Sequence, residues 1–259
     1  MKQEGKVFSN PKYLQNSFSI IFPRKPSIRK NVFDFEVKLE NSYIQPQVIS
    51  IPDDINPDMP RMIFTSKHGH SQIIISQVNF VLNVNYSTDW QCDISKCQTY
   101  LLEKVSTLFD LLNIIEEKCP YFCGLSTIVQ IPSQNEDDKK VISHIYNLFS
   151  KESSPSKEET NSDIYEFQIK TAKIIEDKFF SNITVSNYRS WKTITESELI
   201  LKLPNESIVE SGIQIIGDFN DRYTFNESES YCSNENTAKR IIELGLSQIH
   251  EIVNRVTRS

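Results

Sequence analysis

The sequence predicts an α+β fold in which antiparallel sheets are each followed by a long amphipathic helix. Apolar and polar residues alternate over much of residues 17–86, which is typical of half-buried strands. Apolar residues then recur at helical spacing over residues 93–117, and a second long helical pattern covers residues 234–256. Because short turns separate consecutive strands, we expect antiparallel pairing instead of parallel βαβ units.

The two halves of the chain repeat this succession. Residues 1–150 are predicted to form one α+β half and residues 163–259 a second one. Residues 151–162 have no apolar residue that could anchor them, so they are predicted to be a flexible linker or loop. A duplicated unit would explain the succession, and it predicts that residues 17–131 and 163–258 superpose.

Alternation marks the strands of the first half. Phe18, Ile20 and Phe22 occupy every second position, and Pro23 ends that strand. Residues 33–40 alternate between apolar and charged side chains, which predicts a half-buried strand with a charged outer face. Further strands are expected over residues 48–51, 62–65, 72–76, 80–86 and 122–131.

The helices have recognisable ends. Asp93 or Ser95 can cap the first long helix, and Pro120 ends it. Another helix is predicted over residues 139–149. In the second half, strand patterns cover residues 164–171, 179–188, 198–203 and 212–223.

Composition counts against several classes of function. The chain has only 6 glycines and no GxGxxG, GxxxxGK[ST] or GxSxG motif, so Rossmann, P-loop and α/β-hydrolase chemistry are not expected, and no cofactor is indicated. A net charge of -6 opposes attraction to phosphate backbones, so nucleic acid is not an expected partner. The basic run at residues 24–30 is interpreted as a solvated loop and not as an anion-binding patch.

Apolar content and cysteines bear on the compartment. No apolar stretch approaches the roughly 18 residues of a membrane span, and the N-terminus has no apolar core behind it, so a cytoplasmic protein is expected. Five cysteines, an odd number, argue against a disulfide framework and predict free thiols. Cys92 and Cys97, and likewise Cys119 and Cys123, have spacings seen in metal sites, but the predicted helix holds the two pairs too far apart for one zinc ion.

Two histidines share one predicted turn. His68 and His70 flank Gly69, and two imidazoles so placed can ligate a metal or act in acid–base catalysis. The acidic residues that precede this turn could supply oxygen ligands; they are Asp53, Asp54 and Asp58. The alternative is an ordinary polar hairpin turn beside a loop rich in proline and aspartate.

A second candidate is a short charged motif. Glu36 and Lys38 match the E-x-K half of a metal-dependent nuclease signature, and on a strand Asp34 would point to the same face. The alternative is a solvent-exposed face, because any amphipathic strand with alternating charge produces this triplet.

A third candidate is the corner before the first long helix. Trp90 is placed to pack against the first turns of that helix, and Asp89 can cap its backbone amides. Aromatic residues at such corners also bind partners, so both residues are candidate binding residues. Cys92 has no His or Lys close enough in sequence to activate it as a nucleophile.

Three stretches resemble a known family. They are residues 60–64, 71–76 and 82–90, and the tail is similar in outline, with a strand ending at residues 215–219 and a last helix through 248–250. The chain resembles a sporadically distributed bacterial family of similar length that has no assigned activity. The resemblance implies no catalytic residue, and it implies a gene of mobile or defence-type islands.

Two functions remain open from the sequence. The first is a non-enzymatic protein-interaction module that binds a partner protein, such as the product of an adjacent gene, or a second copy of itself. The second is a metal-dependent nuclease or hydrolase that uses Glu36 and Lys38, or His68 and His70. Catalysis requires at least three such groups within a few ångströms of each other in a cleft.

Overall fold

The computed structural model describes residues 7–134, 138–150, 164–192 and 205–258. The strands are β1 (Lys12–Ile21), β2 (Gln47–Val48), β3 (Met62–Thr65), β4 (Ser71–Ile75), β5 (Asn79–Asn85), β6 (Phe122–Pro132), β7 (Gln168–Ile175), β8 (Phe179–Trp191) and β9 (Ile208–Asn220). The helices are α1 (Val32–Leu39), α2 (Ile94–Ile114), α3 (Asp138–Phe149), α4 (Arg222–Glu227) and α5 (Glu235–Thr257), with short 3-10 turns at Ile28–Asn31 and Asn205–Ser207. Among these helices, none is long and apolar enough to cross a membrane.

These nine strands form one antiparallel sheet in the order β2-β3-β4-β5-β1-β6-β9-β8-β7. The two central strands, β1 and β6, pair with Ser17 opposite Ser126. On either side of this pair, Asn83 of β5 lies opposite Ser17, and Asp218 of β9 lies opposite Ser126. The α+β class is therefore confirmed, whereas the expectation of separate sheets in the two halves is wrong.

One face of the sheet carries the core. Side chains such as Phe18 and Ile20 point toward the helices and are fully buried, while the alternating Ser17 and Ser19 lie on the opposite face. On the core side, α2 and α5 pack against each other and against the central strands. The buried side chains of both halves form one continuous cluster.

The closest helix-to-sheet approach depends on two glycines. A Cβ atom on Gly245 of α5 would lie 2.6 Å from Cδ2 of Phe219, and one on Gly217 of β9 would lie 2.5 Å from Cε2 of the same ring. Only glycine leaves room for the Phe219 ring at both positions.

The predicted strand over residues 33–40 is wrong, because this segment is helix α1. Strict alternation also places apolar side chains four residues apart, which is the spacing of one helix face. Phe35 and Leu39 form such a pair and are buried, whereas Phe33 and Val37 are 69% and 51% exposed. The alternation was therefore ambiguous between strand and helix.

Other predicted elements are confirmed within a few residues. Helix α2 begins after Asp93, whose carboxylate accepts a hydrogen bond from the Lys96 amide at 3.1 Å, and α5 is capped in the same way by Asn234. The strand over residues 122–131 and the helix over 139–149 are β6 and α3. The predicted linker over residues 151–162 and the predicted strand over 198–203 lie outside the described residues.

The prediction that all cysteines are free is wrong for two of them. Cys119, between α2 and β6, forms a disulfide with Cys232, which lies 113 residues later and just before α5. Cys92, Cys97 and Cys123 are free thiols. The sequence argument compared only neighbouring cysteines, and the sheet order that brings the two distant loops together is not visible in local spacing.

Candidate functional site

Three of the predicted site residues meet at one cavity. It has a volume of about 280 Å³ and lies between the β3–β4 turn, the end of β5 and the first turns of α2. Its lining consists of His68, His70, Val84, Tyr86, Ser87, Trp90 and Tyr100. An apolar pocket with a few convergent polar groups is the usual form of a ligand site.

Hydrogen bonds fix His68 in one tautomer. The backbone N–H of His70 donates to Nδ1 of His68 at 3.1 Å, so Nδ1 is an acceptor and the ring proton is on Nε2. Nε2 then donates to the hydroxyl of Tyr100 at 3.2 Å, and the hydroxyls of Tyr100 and Ser71 share a hydrogen bond at 2.7 Å. The hydroxyl of Ser66 lies 3.3 Å from Nδ1 and itself accepts the Ser71 amide at 3.0 Å.

This network keeps His68 neutral. Partial burial, followed by the nearby His70 and Lys104, lowers the pKa of His68 below its ordinary value of 6.5. Burial also raises the pKa of Tyr100, so its hydroxyl stays protonated. Because both ring nitrogens of His68 already have partners within the protein, His68 is placed to hold the turn and not to ligate a metal or abstract a proton.

Aromatic rings and one cation complete the site. The Trp90 ring, which is 38% exposed, meets the Tyr100 ring edge-on at 6.0 Å between centroids. On the same face of α2, the Lys104 ammonium lies 5.4 Å from the centroid of Tyr100 and 5.2 Å from that of Tyr43. Burial lowers the pKa of Lys104, and among the described residues no carboxylate forms a salt bridge with it.

Of the residues predicted to cap α2, Asp93 is confirmed and Asp89 is not. Asp89 is exposed, and Asp93 caps α2 instead. Trp90 does pack near the first turns of α2, as predicted, through its contact with Tyr100.

The three aspartates do not join the histidines. Asp53 lies beside the β4–β5 turn, at the opposite end of β4 from His68, and accepts a hydrogen bond from Arg29 at 3.0 Å. Asp54 is exposed, and Asp58 accepts a hydrogen bond from Asn79 at 3.5 Å. The expected oxygen ligands are therefore absent from the pocket.

The basic run has a structural use. Arg24 donates to the backbone oxygen of Asp53 at 2.7 Å, and Arg29 donates to the backbone oxygens of Ile49 and Ile51. The guanidinium groups thus hold the long loop before β3, which supports their interpretation as part of a loop and not as an anion patch.

The E-x-K interpretation is wrong because Asp34, Glu36 and Lys38 lie on helix α1. On a helix, Glu36 points about 200° away from both Asp34 and Lys38, so the three side chains do not share one face. Lys38 pairs instead with Asp110 of α2 at 2.8 Å. In the part of the chain that the structure describes, no group of three or more His, Cys, Asp and Glu residues could hold a metal ion.

Sequence reasoning missed Tyr100, Ser71 and Lys104 as site residues. Tyr100 belongs to the apolar pattern of the predicted long helix, and Ser71 directly precedes the predicted strand over residues 72–76. The one available signal was the four-residue spacing of Tyr100 and Lys104, which places both on one helix face. Tyr100 and Lys104 lie near the β3–β4 turn because of the order of the strands in the sheet, and local sequence patterns do not predict that order.

Comparison of the chain with models of known protein families and with curated proteins gave no match.

Proposed function

We propose that this protein is a non-enzymatic interaction module whose pocket at His68, Trp90 and Tyr100 holds one ring-sized group of a partner protein. The observation that carries the proposal is the cavity itself: it is lined by aromatic and aliphatic side chains, and its polar groups are largely engaged with each other. Such a pocket suits an anchoring side chain of a partner, which is how aromatic hot spots bind.

The size of the cavity supports a single anchoring group. Its volume is about 280 Å³. A cavity of about 150 Å³ holds benzene, and pockets for drug-sized ligands have about 300–1,000 Å³. A group of one or two rings therefore fits, whereas a large cofactor does not.

The hydrogen-bond network favours binding over catalysis. Ser71 is 1% exposed, so its hydroxyl cannot reach a substrate as a nucleophile. His68 and Tyr100 hold their protons in a chain of internal hydrogen bonds, and the pocket lining includes no carboxylate. Nothing in the arrangement favours the metal-dependent hydrolase as a second function.

We also infer that the chain is a duplicated unit, with a boundary that lies between α2 and β6. The order β1, α1, β3 to β5, α2 parallels the order β6, α3, β7 to β9, α5, apart from the extra strand β2 in the first unit and the extra helix α4 in the second. The sheet order supports this, because β5 and β9 flank the central pair β1 and β6 in equivalent positions. The boundary expected at residues 151–162 would instead fall inside the second unit.

A cytoplasmic bacterial setting, with the partner encoded by an adjacent gene of a mobile or defence-type island, belongs to the same proposal. It is supported by the family resemblance described above. Because disulfides are rare in the cytosol, we expect Cys119 and Cys232 to be thiols in the cell and to pair after isolation. Alkylation of the protein before lysis should then modify both, and protection of both would contradict a cytoplasmic location.

The binding proposal is tested by nuclear magnetic resonance titration with phenylacetamide, a neutral single-ring probe. We expect chemical-shift changes at the Trp90 indole N–H and the His70 amide, with a Kd on the order of 1 mM for a ligand of this size. The variant W90A should abolish these changes at His70. Tyr121 is equally exposed, at 39%, and lies outside the pocket lining, so Y121A is the matched control. Absence of binding, or unchanged binding in W90A, would overturn the proposal.

A further inference from the structure

Lys104 is a half-buried cation beside the pocket. Its ammonium lies against the rings of Tyr43 and Tyr100, and Tyr100 is a wall of the cavity. Within the described residues it has no salt bridge, although partial burial makes an ammonium without a counter-ion costly. Lys104 is also one of the groups that lower the pKa of His68, which lines the pocket.

The other charged groups near the pocket do not neutralise Lys104. The β3–β4 turn contributes Lys67, His68 and His70. The nearby carboxylate of Asp93 is the cap of α2 and also contacts Lys96 at 3.5 Å. Asp89 is exposed to solvent, where its field is screened, and the charge of the neighbouring Glu103 raises the pKa of Lys104 less than burial lowers it.

In the second half of the sheet, the cation on the long helix does have a carboxylate partner on the facing turn. There the β7–β8 turn supplies Glu176, which forms a salt bridge with Arg240 of α5. In the first half the cation is on α2, and the corresponding turn has no carboxylate. In the first half, Lys104 therefore has no carboxylate partner on the facing turn.

Resting on the proposed function, we propose that the ring-sized group in the pocket carries a carboxylate and that Lys104 is its counter-ion. The ligand class is an aromatic carboxylate. A single ammonium matches one negative charge, whereas a phosphate dianion would call for a second cation or a bidentate guanidinium. Such a group can come from a C-terminal aromatic residue of a partner chain or from a free aryl carboxylate.

The test compares phenylacetate with phenylacetamide, which has nearly the same shape and no charge. We expect phenylacetate to bind about 5- to 10-fold more tightly at low ionic strength and the preference to shrink with added salt. K104M removes the charge and keeps an apolar stem, so it should abolish the preference while leaving phenylacetamide binding intact. K67M, at an exposed lysine of the β3–β4 turn, is the matched control and should keep the preference.

A second pair of probes distinguishes the two sources. The dipeptide N-acetyl-Ala-Phe is titrated with a free carboxylate and with a terminal amide. If the source is a chain end, the free-acid dipeptide should bind at least as tightly as phenylacetate; if it is a small molecule, the added residue should abolish binding.

The outcomes separate this inference from the proposed function. If phenylacetamide and phenylacetate bind equally, or if K104M keeps the preference, the carboxylate inference is wrong and the pocket still binds a ring. If neither probe binds, the proposed function itself fails.

Discussion

The two long helices meet their facing hairpin turns in different ways. The β3–β4 turn contacts α2 through His68 and Tyr100, two neutral side chains joined by a hydrogen bond. The β7–β8 turn contacts α5 through the salt bridge between Glu176 and Arg240. The first contact leaves a cavity beside it, whereas the second is completed by the chain's own charges.

The connections that lead into the two helices also differ. After β9, the chain forms α4, whose Tyr223 and Phe225 pack against Phe180 and Phe122. After β5, the chain makes only turns, and Trp90 remains partly exposed beside the cavity.

Buried polar contacts reinforce the second connection. The Asp221 carboxylate is fully buried and accepts hydrogen bonds from the Cys123 amide, the Tyr231 hydroxyl and the Ser233 hydroxyl. The disulfide of Cys119 with Cys232 adds a covalent tie next to it. The second connection is thus held by more internal contacts than the first, which leaves a cavity beside it.

The largest effect should come from breaking the covalent tie. C119S opens a loop of 113 residues, and the chain-entropy model assigns a loop of this size roughly 5 kcal/mol of stability. We expect the free energy of unfolding in urea to fall by about that amount under oxidising conditions. C92S, at an exposed free thiol, is the control and should leave it unchanged. Equal stability of C119S and C92S would remove the basis of the comparison.

Breaking the hydrogen bond between His68 and Tyr100 should lower the free energy of unfolding by a smaller amount. Y100F removes the hydroxyl that bonds His68 and the buried Ser71, which should lower the free energy of unfolding by about 1 kcal/mol. Y165F changes an exposed tyrosine and serves as the control. A loss as large as that of C119S would show that the first contact is also a main stabilising tie.

The smallest expected effect is a pH dependence of the free energy of unfolding that arises from His68. The pKa of His68 is lowered in the folded state, so between that value and the unfolded value of 6.5 the unfolded chain binds more protons. The contribution of His68 to stability is therefore complete above pH 6.5 and declines as the pH falls through the folded pKa. Urea unfolding at a series of pH values should show that the free energy of unfolding falls less steeply with falling pH in H68N than in the wild-type protein. An identical fall in both proteins would contradict a neutral His68.

The sequence predicted the parts of this fold that depend on local pattern. Hydrophobic periodicity and capping residues are local features of the sequence. They therefore predict helix α2 with its cap at Asp93, strand β6 and helix α5. Segment 33–40 was misread, because alternation and helical spacing coincide over so short a length.

The candidate site was only partly predictable. His68, His70 and Trp90 were picked out singly, by residue type and position, but nothing local indicated that they line one cavity. Lys104 and the disulfide partner Cys232 belong to contacts made by the sheet order, which pairs segments far apart in the chain. Long-range contacts of this kind leave no periodic signal in the sequence.

The most direct test of the pocket is a measurement of intermolecular nuclear Overhauser effects between the protein and phenylacetamide. The pocket predicts contacts from the ring protons of the probe to the side chains of Tyr86, Trp90 and Tyr100, and their loss in W90A. Contacts confined to other surfaces, such as the exposed Phe33 and Val37 of α1, would contradict it.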